Sequence, residues 1–249
     1  MSGQCIAVVS GKGGTGKTSL TAGVGTALAQ SGKRVLCMDC DIGLRNLDLA
    51  LGLTDRALMD FSDVALKRCS LESAVVAHPN IRGLYLLTAP VRLHEDIRMS
   101  EMKGLLDEVR SRFDYCLIDS GAGLGDAFRL ATCAADRAVV VATTDPTSLR
   151  DAQRTVMELR DYPNGRLHLV VNRVRRKLLK ALSSNIDDAI DAAGLPLLGV
   201  IPEDEGIPIA LGRCALTVFS RESSAEIACR NIARRLTGER VPLMKLPRR

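Results

Sequence analysis

Short runs of apolar, β-branched residues alternate with longer segments of helical periodicity along most of the chain. This rhythm is typical of parallel strands that are covered by helices. The predicted strands are Cys5–Ser10, Arg34–Asp39, Leu84–Thr88, Tyr115–Asp119, Ala138–Thr143, Arg166–Asn172 and Leu197–Ile201. The predicted helices begin near Lys17, Leu58, Ser100, Asp126, Thr147, Ser184, Ile207 and Arg221. The pattern predicts an α/β fold with a mostly parallel central sheet and helices on both faces.

The pattern runs without a linker, an internal repeat or a low-complexity segment that would separate a second domain. A chain of 249 residues with 46% hydrophobic residues is within the range of one α/β domain. We therefore predict a single domain over residues 1–238. Residues 239–249 form a short basic tail, which contains Pro242 and Pro247 and is expected to be loosely ordered.

The apolar runs are too short for a membrane-spanning helix, which requires about 20 residues. The first residues also lack the basic region and long apolar segment of a secretory signal. We expect a cytoplasmic location. The net charge of +5 permits weak attraction to nucleic acid or to an anionic membrane surface, but it requires neither.

Most of the eight cysteines lie inside apolar strand or helix patterns, where a thiol behaves as a small hydrophobic group. We expect them to be reduced. Cys37 and Cys40 form the one close pair, which supplies half of a metal ligand set unless two chains share the metal. The three histidines are scattered and have no ligand-like spacing.

A glycine-rich loop follows the first predicted strand and precedes the first predicted helix. Residues 11–18 match the phosphate-binding pattern G-x-x-x-x-G-K-[ST]. The glycines let successive backbone N–H groups turn towards an anion, and the helix start adds the positive end of its dipole. A polyphosphate is the predicted ligand, although a glycine-rich turn without a ligand is the alternative. The predicted binding residues are Gly11, Lys12, Gly13, Gly14, Thr15, Gly16, Lys17, Thr18 and Ser19.

Individual residues of this loop and of two strand ends predict the chemistry of the site. Lys17 is placed to contact the β- and γ-phosphates, and the Thr18 hydroxyl is placed to bind Mg²⁺. Asp41 follows the second strand, at the edge where ligands gather in open α/β sheets. It is suited to metal binding or water positioning, although a turn cap is the alternative. Asp119 ends another apolar strand before a glycine-rich turn and is predicted to hold Mg²⁺.

Lys12 is a second lysine in a loop that already has its phosphate lysine. With it, the loop resembles the deviant Walker A motif, K-G-G-x-G-K-[TS], of the MinD/ParA family of P-loop ATPases. The alternative is a solvated lysine on an exposed loop. The resemblance continues at residues 39–49, 115–123, 170–173 and 199–204, and so covers nearly the whole chain.

The resemblance implies a single-domain P-loop NTPase that binds ATP and Mg²⁺ and hydrolyses ATP slowly. It also implies an ATP-dependent homodimer, in which Lys12 reaches the nucleotide of the other chain, and a function in placing the division septum. A division-inhibitor or activator protein is the implied partner. Lys12, Lys17, Asp41 and Asp119 are then the catalytic residues, with Thr18, Asp41 and Asp119 at the metal.

The resemblance also assigns roles to residues outside the loop. Gly123 gives a backbone N–H to the γ-phosphate, and Asp151 corresponds to a dimer contact. The implied adenine pocket contains Asn172, Arg173, Pro202, Glu203 and Asp204. From the residues alone, Asn172 is equally explained as a turn residue that caps a strand. The family usually has D-x-P-A-G at 119–123, whereas this chain has Gly121 in place of proline, which loosens the loop and leaves the hydrolysis rate open.

Several alternatives remain open at this point. A partition ATPase of the ParA type would bind DNA through the basic segment 173–180, although a solvated flank of the pocket explains that segment better. A flagellar-placement ATPase, an iron–sulfur carrier with Cys37 and Cys40 as ligands, and a scaffold that does not hydrolyse ATP are the others. MinD proteins generally end in an amphipathic membrane helix. Here only residues 243–246 lie between the two prolines, so we expect at most weak peripheral membrane contact.

Overall fold

The computed structural model describes residues 2–181, 185–212, 223–244 and 246. The strands are β1 (Gln4–Val9), β2 (Val35–Cys40), β3 (Val76–Ala77), β4 (Leu84–Leu87), β5 (Tyr115–Ser120), β6 (Arg137–Ala142), β7 (Leu167–Val174) and β8 (Leu197–Pro202). The helices are α1 (Lys17–Gln30), α2 (Leu47–Leu51), α3 (Phe61–Ala65), α4 (Leu71–Ala74), α5 (Met99–Arg112), α6 (Asp126–Thr132), α7 (Pro146–Glu158), α8 (Arg176–Ala181), α9 (Ile186–Ala193), α10 (Gly206–Gly212) and α11 (Ser224–Leu236).

Within these ranges the strands form one sheet in the order β3-β4-β2-β5-β1-β6-β7-β8. The pairings between neighbours from β4 to β8 are parallel, and β3 pairs with β4 in the antiparallel direction. The predicted α/β fold is therefore confirmed. The strand order reverses beside β1, and a ligand crevice in such a sheet lies at the carboxyl ends of the strands at this switch point.

Helices cover both faces of the sheet, because alternate side chains of each strand point to opposite sides. On one face, Ile6 and Val8 pack with residues of α1 and α11. On the other face, Cys5 belongs to a cluster with α3 and α5, and Ala7 to a cluster with α7 and α9. Burial on both sides explains why the strands are apolar throughout.

Small residues bring α1 close to the sheet. A side chain at Gly25 would collide with the Cys37 thiol on β2, so glycine is required for this approach. Because the phosphate-binding loop leads directly into α1, this packing holds the carboxyl side of the loop against the sheet.

The predicted elements differ from the structure mainly where an element is short. The seven predicted strands are present, and β3 was missed because it has only two residues. The helix expected near Leu58 begins at Phe61, since the Asp60 side chain caps it by accepting from Ser62 N and Asp63 N. Helices α2, α4 and α8 were not predicted, because four to six residues carry little periodicity. The starts expected near Ser184 and Arg221 lie outside the described residues.

The described part of the tail lies against the domain, contrary to the expectation of loose order. Arg235 on α11 donates from Nε to Val241 O at 3.0 Å and from Nη2 to Pro242 O at 2.9 Å. Met244 and Leu246 also pack against the hydrophobic clusters. Within the described residues, no helix is long and apolar enough to cross a membrane.

Candidate nucleotide site

A cavity of about 400 Å³ opens at the carboxyl ends of the strands, beside the switch point. It is lined by predicted site residues, namely Gly13, Gly14, Gly16, Lys17, Thr18, Ser19, Asp41, Asn172, Arg173, Pro202, Glu203 and Asp204. Leu44, Asn46, Ala122, Ile207 and Pro208 complete the lining and were not predicted. The predicted residues Gly11, Lys12, Thr15, Asp119 and Gly123 are not part of the lining. The structure thus brings most of the predicted residues together, although they come from distant parts of the chain.

The loop between β1 and α1 has the backbone of a phosphate cradle. Gly14 has φ of +77° and Gly16 has φ of +90°, which is a left-handed conformation that favours glycine. Gly16 is the N-cap of α1, so the free N–H groups of the first helical turn face the loop. Together with the dipole of α1, this geometry is suited to an anion.

Lys17 is the cation at the base of this cradle. Its side chain is buried, and Nζ donates to Ser10 Oγ at 2.9 Å. Burial lowers the pKa of Lys17, while Asp119 and Asp41 oppose that shift. A buried ammonium group is costly unless negative charge lies nearby, and a polyphosphate would supply it. Ser10, which also donates to Lys12 O at 2.7 Å, is a site residue that we did not predict.

Three aspartates lie at the ends of β2 and β5. Burial raises the pKa of Asp39 to about 6 and the pKa of Asp119 to about 8, and the charge of Asp39 adds to the second shift. Asp39 accepts hydrogen bonds from Asp41 N at 2.7 Å and from Leu47 N at 3.1 Å. Asp39 thus positions the segment that carries Asp41. The sequence placed Asp39 at a strand end but did not assign it this role.

The oxygen atoms of Thr18 and Asp119 are of the kind that binds Mg²⁺. The Thr18 hydroxyl lies near Asp119 and lowers the pKa of that carboxyl group, and Asp119 also accepts from Thr21 Oγ1 at 3.5 Å. In the described part of the chain, no three His, Cys, Asp or Glu side chains come together as a closed metal site. Mg²⁺ is usually held by one or two carboxylates, water and substrate phosphates, so a site of this open kind suits it.

Gly121 lies where the loops after β2 and β5 meet. A Cβ at this position would be 3.2 Å from Asp41 Oδ1 and 3.1 Å from the Ala127 Cβ. The missing side chain therefore lets the Asp41 carboxylate approach the turn after β5. This packing gives Gly121 a role beyond the loosening that the sequence suggested.

The base side of the cavity is formed by the ends of β7 and β8. Asn172 Nδ2 donates to Thr15 O at 2.8 Å, and Arg173 Nη1 donates to Gly14 O at 3.2 Å. Asp204 accepts from Gly206 N at 2.9 Å and from Ala225 N at 3.2 Å, so it joins α10 to α11. Asp204 thereby shapes the wall of the cavity.

Part of the positive charge of the basic segment 173–180 is paired with an acidic residue of the same chain. Glu203 forms ion pairs with both Arg173 and Arg175. Residues 176–181, most of which belong to that segment, form helix α8. These ion pairs leave fewer free cations for a DNA backbone than the sequence suggested.

Helix α7 contacts the amino side of the phosphate loop. Lys12 Nζ donates to Asp145 Oδ1 at 3.1 Å and to Thr147 Oγ1 at 2.9 Å. A Cβ at Gly11 would be 2.7 Å from the backbone oxygen of Asp151, so α7 packs closely on the loop. Lys12 is thus paired within its own chain. The sequence did not predict these partners, since Asp145 is 133 residues away from Lys12 along the chain.

Cys37 and Cys40 do not form half of a metal site. Both are buried, but Cys37 belongs to the cluster on the α1 face of the sheet and Cys40 to the cluster on the opposite face. Burial also raises the pKa of each thiol well above its ordinary value, which disfavours the thiolate that binds metal. The iron–sulfur hypothesis that used this pair is therefore wrong.

The parallel sheet, the glycine loop and the buried Lys17 together define a P-loop nucleotide-binding protein. Residues 6–216 match the family model described as the CobQ/CobB/MinD/ParA nucleotide binding domain. The chain belongs to this family, and it is an ATPase of the MinD/ParA type.

Individual relatives of this chain indicate a narrower group within the family. The chain is 38% identical over 248 residues to the septum site-determining protein MinD of Bacillus subtilis, which covers 98% of this chain and 92% of the relative. The solved MinC:MinD cell division protein complex of Aquifex aeolicus matches with a TM-score of 0.90 and 35% identity, covering 98% of this chain and 99% of that one. MinD of Pyrococcus horikoshii, solved with Mg-ADP, matches with a TM-score of 0.80 and 28% identity, covering 94% and 95%.

Proposed function

We propose that this chain is a nucleotide switch that binds ATP with Mg²⁺, hydrolyses it, and takes part in placing the division septum. The observation that carries the proposal is the phosphate loop with two lysines, in a chain that resembles septum site-determining proteins over nearly its full length. The Mg-ADP in the Pyrococcus horikoshii relative supports the same ligand here.

The predicted phosphate and metal residues have the following roles in this proposal. Lys17 and the backbone of residues 11–16 bind the phosphates. Thr18 and Asp119 would hold Mg²⁺, and the metal would supply positive charge to the β- and γ-phosphates. Asp41, whose backbone N–H is held by Asp39, would orient a water molecule.

The proposed active form is a homodimer in which Lys12 contacts the nucleotide of the other chain. In this structure Lys12 is bound to Asp145 and Thr147, so it must leave these partners before it can contact another chain. A cation supplied by a second molecule accelerates phosphoryl transfer by about 10³- to 10⁵-fold in related NTPases, so an isolated chain should hydrolyse ATP slowly.

The proposed partner is a division-inhibitor protein, because the Aquifex aeolicus relative was solved in complex with MinC. We place the chain in the cytoplasm with weak peripheral membrane contact. The contact would be weak because Met244 and Leu246, two apolar residues of the tail, already pack against the domain.

Two lysine variants test the proposal. Lys12→Ala should retain ATP binding in equilibrium dialysis but lose ATP-dependent dimers in light scattering. Lys17→Ala should lose nucleotide binding itself. Lys33→Ala, which changes an exposed lysine beyond the far end of α1, is the matched control. Undiminished dimerisation of Lys12→Ala, or ATP binding by Lys17→Ala, would contradict the assignment.

A further inference from the structure

A second cavity, of about 620 Å³, opens at the amino ends of β2 and β4, at the opposite edge of the sheet from the nucleotide cavity. The six residues of β2 separate the two edges by about 20 Å. Two tight turns meet at this amino-end cavity, because β2 and β4 are parallel neighbours that start side by side at Val35 and Leu84. Its volume is within the range of small-molecule sites.

A glycine lets the two turns pack against each other. Gly83, which precedes β4, has φ of +86°, a left-handed conformation that favours glycine. A Cβ there would be 2.7 Å from Lys33 O, so a larger residue would not fit between the turns. Gly83 O also accepts from Val35 N at 2.7 Å. This close contact brings Lys33 and Arg34, before β2, beside Arg82, before β4.

The amino-end cavity is strongly basic. Among the described residues, Lys33, Arg34 and Arg82 line it and no acidic residue does. Across the described ranges, the side chains of these three cations form no ion pair, whereas Arg110 pairs with two carboxylates. The nearest compensation comes from Asp114, which accepts from Arg34 N at 2.7 Å, and from the negative end of the α1 dipole. With both counted, about 1.5 positive charges are left for a ligand.

Two aromatic rings hold Arg34 in place. Its Cζ lies 5.4 Å from the ring centroid of Tyr85 and 5.1 Å from that of Phe113. The two rings contact each other edge to face, with centroids 5.3 Å apart. Stacking restricts the arginine side chain before a ligand binds, so less conformational entropy is lost when its N–H groups donate to an anion. The planar fork of a guanidinium group matches the oxygen atoms of phosphate.

We propose that the amino-end cavity binds a small phosphate ester through Lys33, Arg34 and Arg82, at a site separate from the nucleotide cavity. A phosphate monoester carries about 1.5 to 2 negative charges at pH 7, which matches the positive charge left in the cavity better than the single charge of a carboxylate does. Gln30 and Asn80 also line the cavity and supply neutral hydrogen-bonding groups for the rest of the ester. Because the cations line a concavity, a soluble ester fits it better than a headgroup in a lipid surface.

Isothermal titration calorimetry with glycerol 3-phosphate tests the proposal, and glycerate is the carboxylate probe of similar shape. The unaltered protein should bind glycerol 3-phosphate at least about 5-fold more tightly than glycerate. Arg34→Ala should weaken the phosphate ester by about 10- to 100-fold, as expected for lost hydrogen bonds to a charged group. Arg82→Ala should weaken it by about 2- to 5-fold, because Arg82 is exposed.

Three variants separate this cavity from the nucleotide cavity. Lys17→Ala removes the lysine of the phosphate loop and should leave the affinity for glycerol 3-phosphate unchanged. Arg92→Ala should also leave it unchanged and is the matched control, because Arg92 is an exposed arginine beyond the carboxyl end of β4. Lys33→Ala should weaken glycerol 3-phosphate while ATP binding at the opposite edge of the sheet stays intact.

Several results would overturn the inference. These are no binding at about 10 mM glycerol 3-phosphate, equal affinity for glycerate, or a loss of affinity in Lys17→Ala. Should Arg34→Ala fail to fold, unchanged affinity in both Arg82→Ala and Lys33→Ala would overturn it. Sedimentation with vesicles of phosphatidylglycerol and phosphatidylcholine is the last arm. If the arginine variants reduce vesicle binding but not glycerol 3-phosphate binding, the cations contact a lipid surface and the inference is wrong.

Discussion

Replacing Asp145 with asparagine tests how firmly Lys12 is held in its own chain. Asp145 is the N-cap of α7, where Oδ1 accepts from Ser148 N at 2.9 Å and from Thr147 Oγ1 at 2.6 Å. The same oxygen accepts from Lys12 Nζ at 3.1 Å. Asparagine caps helices about as well as aspartate, so Asp145→Asn keeps the cap and removes the charge that holds Lys12.

The size of the expected stability change follows from the solvent exposure of the Lys12–Asp145 ion pair. The side chains of Lys12 and Asp145 are 35% and 46% exposed. Ion pairs with this exposure contribute about 0.2 to 1 kcal/mol to stability after solvent screening. Asp145→Asn should therefore lower the free energy of unfolding by no more than about 1 kcal/mol. If a symmetric dimer requires both lysines to leave, the same substitution should tighten ATP-dependent dimerisation by about 2- to 30-fold.

The effect on stability should depend on pH. Burial would raise the pKa of Asp145, but hydrogen bonds from Thr143, Thr147, Ser148 N and Lys12 together hold it well below its ordinary value. A carboxylate whose pKa is lower in the folded state stabilises the protein fully above its unfolded pKa of about 3.9. That contribution is lost as the pH falls through the folded pKa. The stability difference between the unaltered protein and Asp145→Asn should therefore be largest near neutral pH and shrink in acid.

Urea unfolding at neutral pH and at about pH 3.5, just below the unfolded pKa, measures the stability effect. Analytical ultracentrifugation with a slowly hydrolysed ATP analogue measures dimerisation. Asp161→Asn is the control, since Asp161 is exposed just beyond the other end of α7. The reasoning is refuted if Asp145→Asn dimerises at the same concentration as the unaltered protein, or at a higher one. A stability difference that grows in acid would refute the pH argument.

Three further predictions concern the loops and the tail. Gly121→Ala should push the Asp41 carboxylate aside, because a Cβ there would be 3.2 Å from Oδ1; phosphate release at saturating ATP should fall while ATP affinity in dialysis changes little. Asp39→Ala should lower both the rate of phosphate release and the ATP affinity, since it leaves the N–H groups of Asp41 and Leu47 without their acceptor. Ending the chain at Gly238 should lower the melting temperature by a few degrees, about what a loss of 1 kcal/mol produces, while binding to anionic liposomes with ATP, followed by sedimentation, should decrease only slightly.

The larger elements were predictable because their patterns are local. The apolar runs that became β1 and β6 are buried along nearly their full length, and burial on both faces is what such runs indicate. The shortest elements were not predictable in this way. Helix α3 begins at Phe61 because the Asp60 side chain caps it, and α2 has only five residues. In these short helices tertiary packing and capping determine the structure, because so few residues cannot display a helical periodicity of apolar positions.

The candidate site shows the same contrast between features that are local in sequence and contacts between distant residues. The glycine loop is contiguous in sequence and in space, so its ligand class followed from the sequence. Its supports are distant, since Lys12 and Asp145 are 133 residues apart and Asn172 and Thr15 are 157 residues apart. A single sequence contains no signal for such pairs. Ser10 is a support of the loop that is local in sequence, because it directly precedes the loop and its hydroxyl donates to Lys12 O, two residues away. The sequence analysis did not assign it this role.

The two supports act on different parts of the loop, and this has a consequence for the switch. Helix α7 holds Lys12 on the amino side, whereas the end of β7 holds the carbonyls of Gly14 and Thr15. The β7 contacts to the Gly14 and Thr15 carbonyls do not involve Lys12, so we expect Lys12 to leave Asp145 without disturbing that part of the loop. Asp145→Asn should therefore change dimerisation but not ATP affinity, and Asn172→Ala should change ATP affinity. The effects on affinity in the double variant should equal those of Asn172→Ala alone, and a larger loss would show that the two supports are coupled.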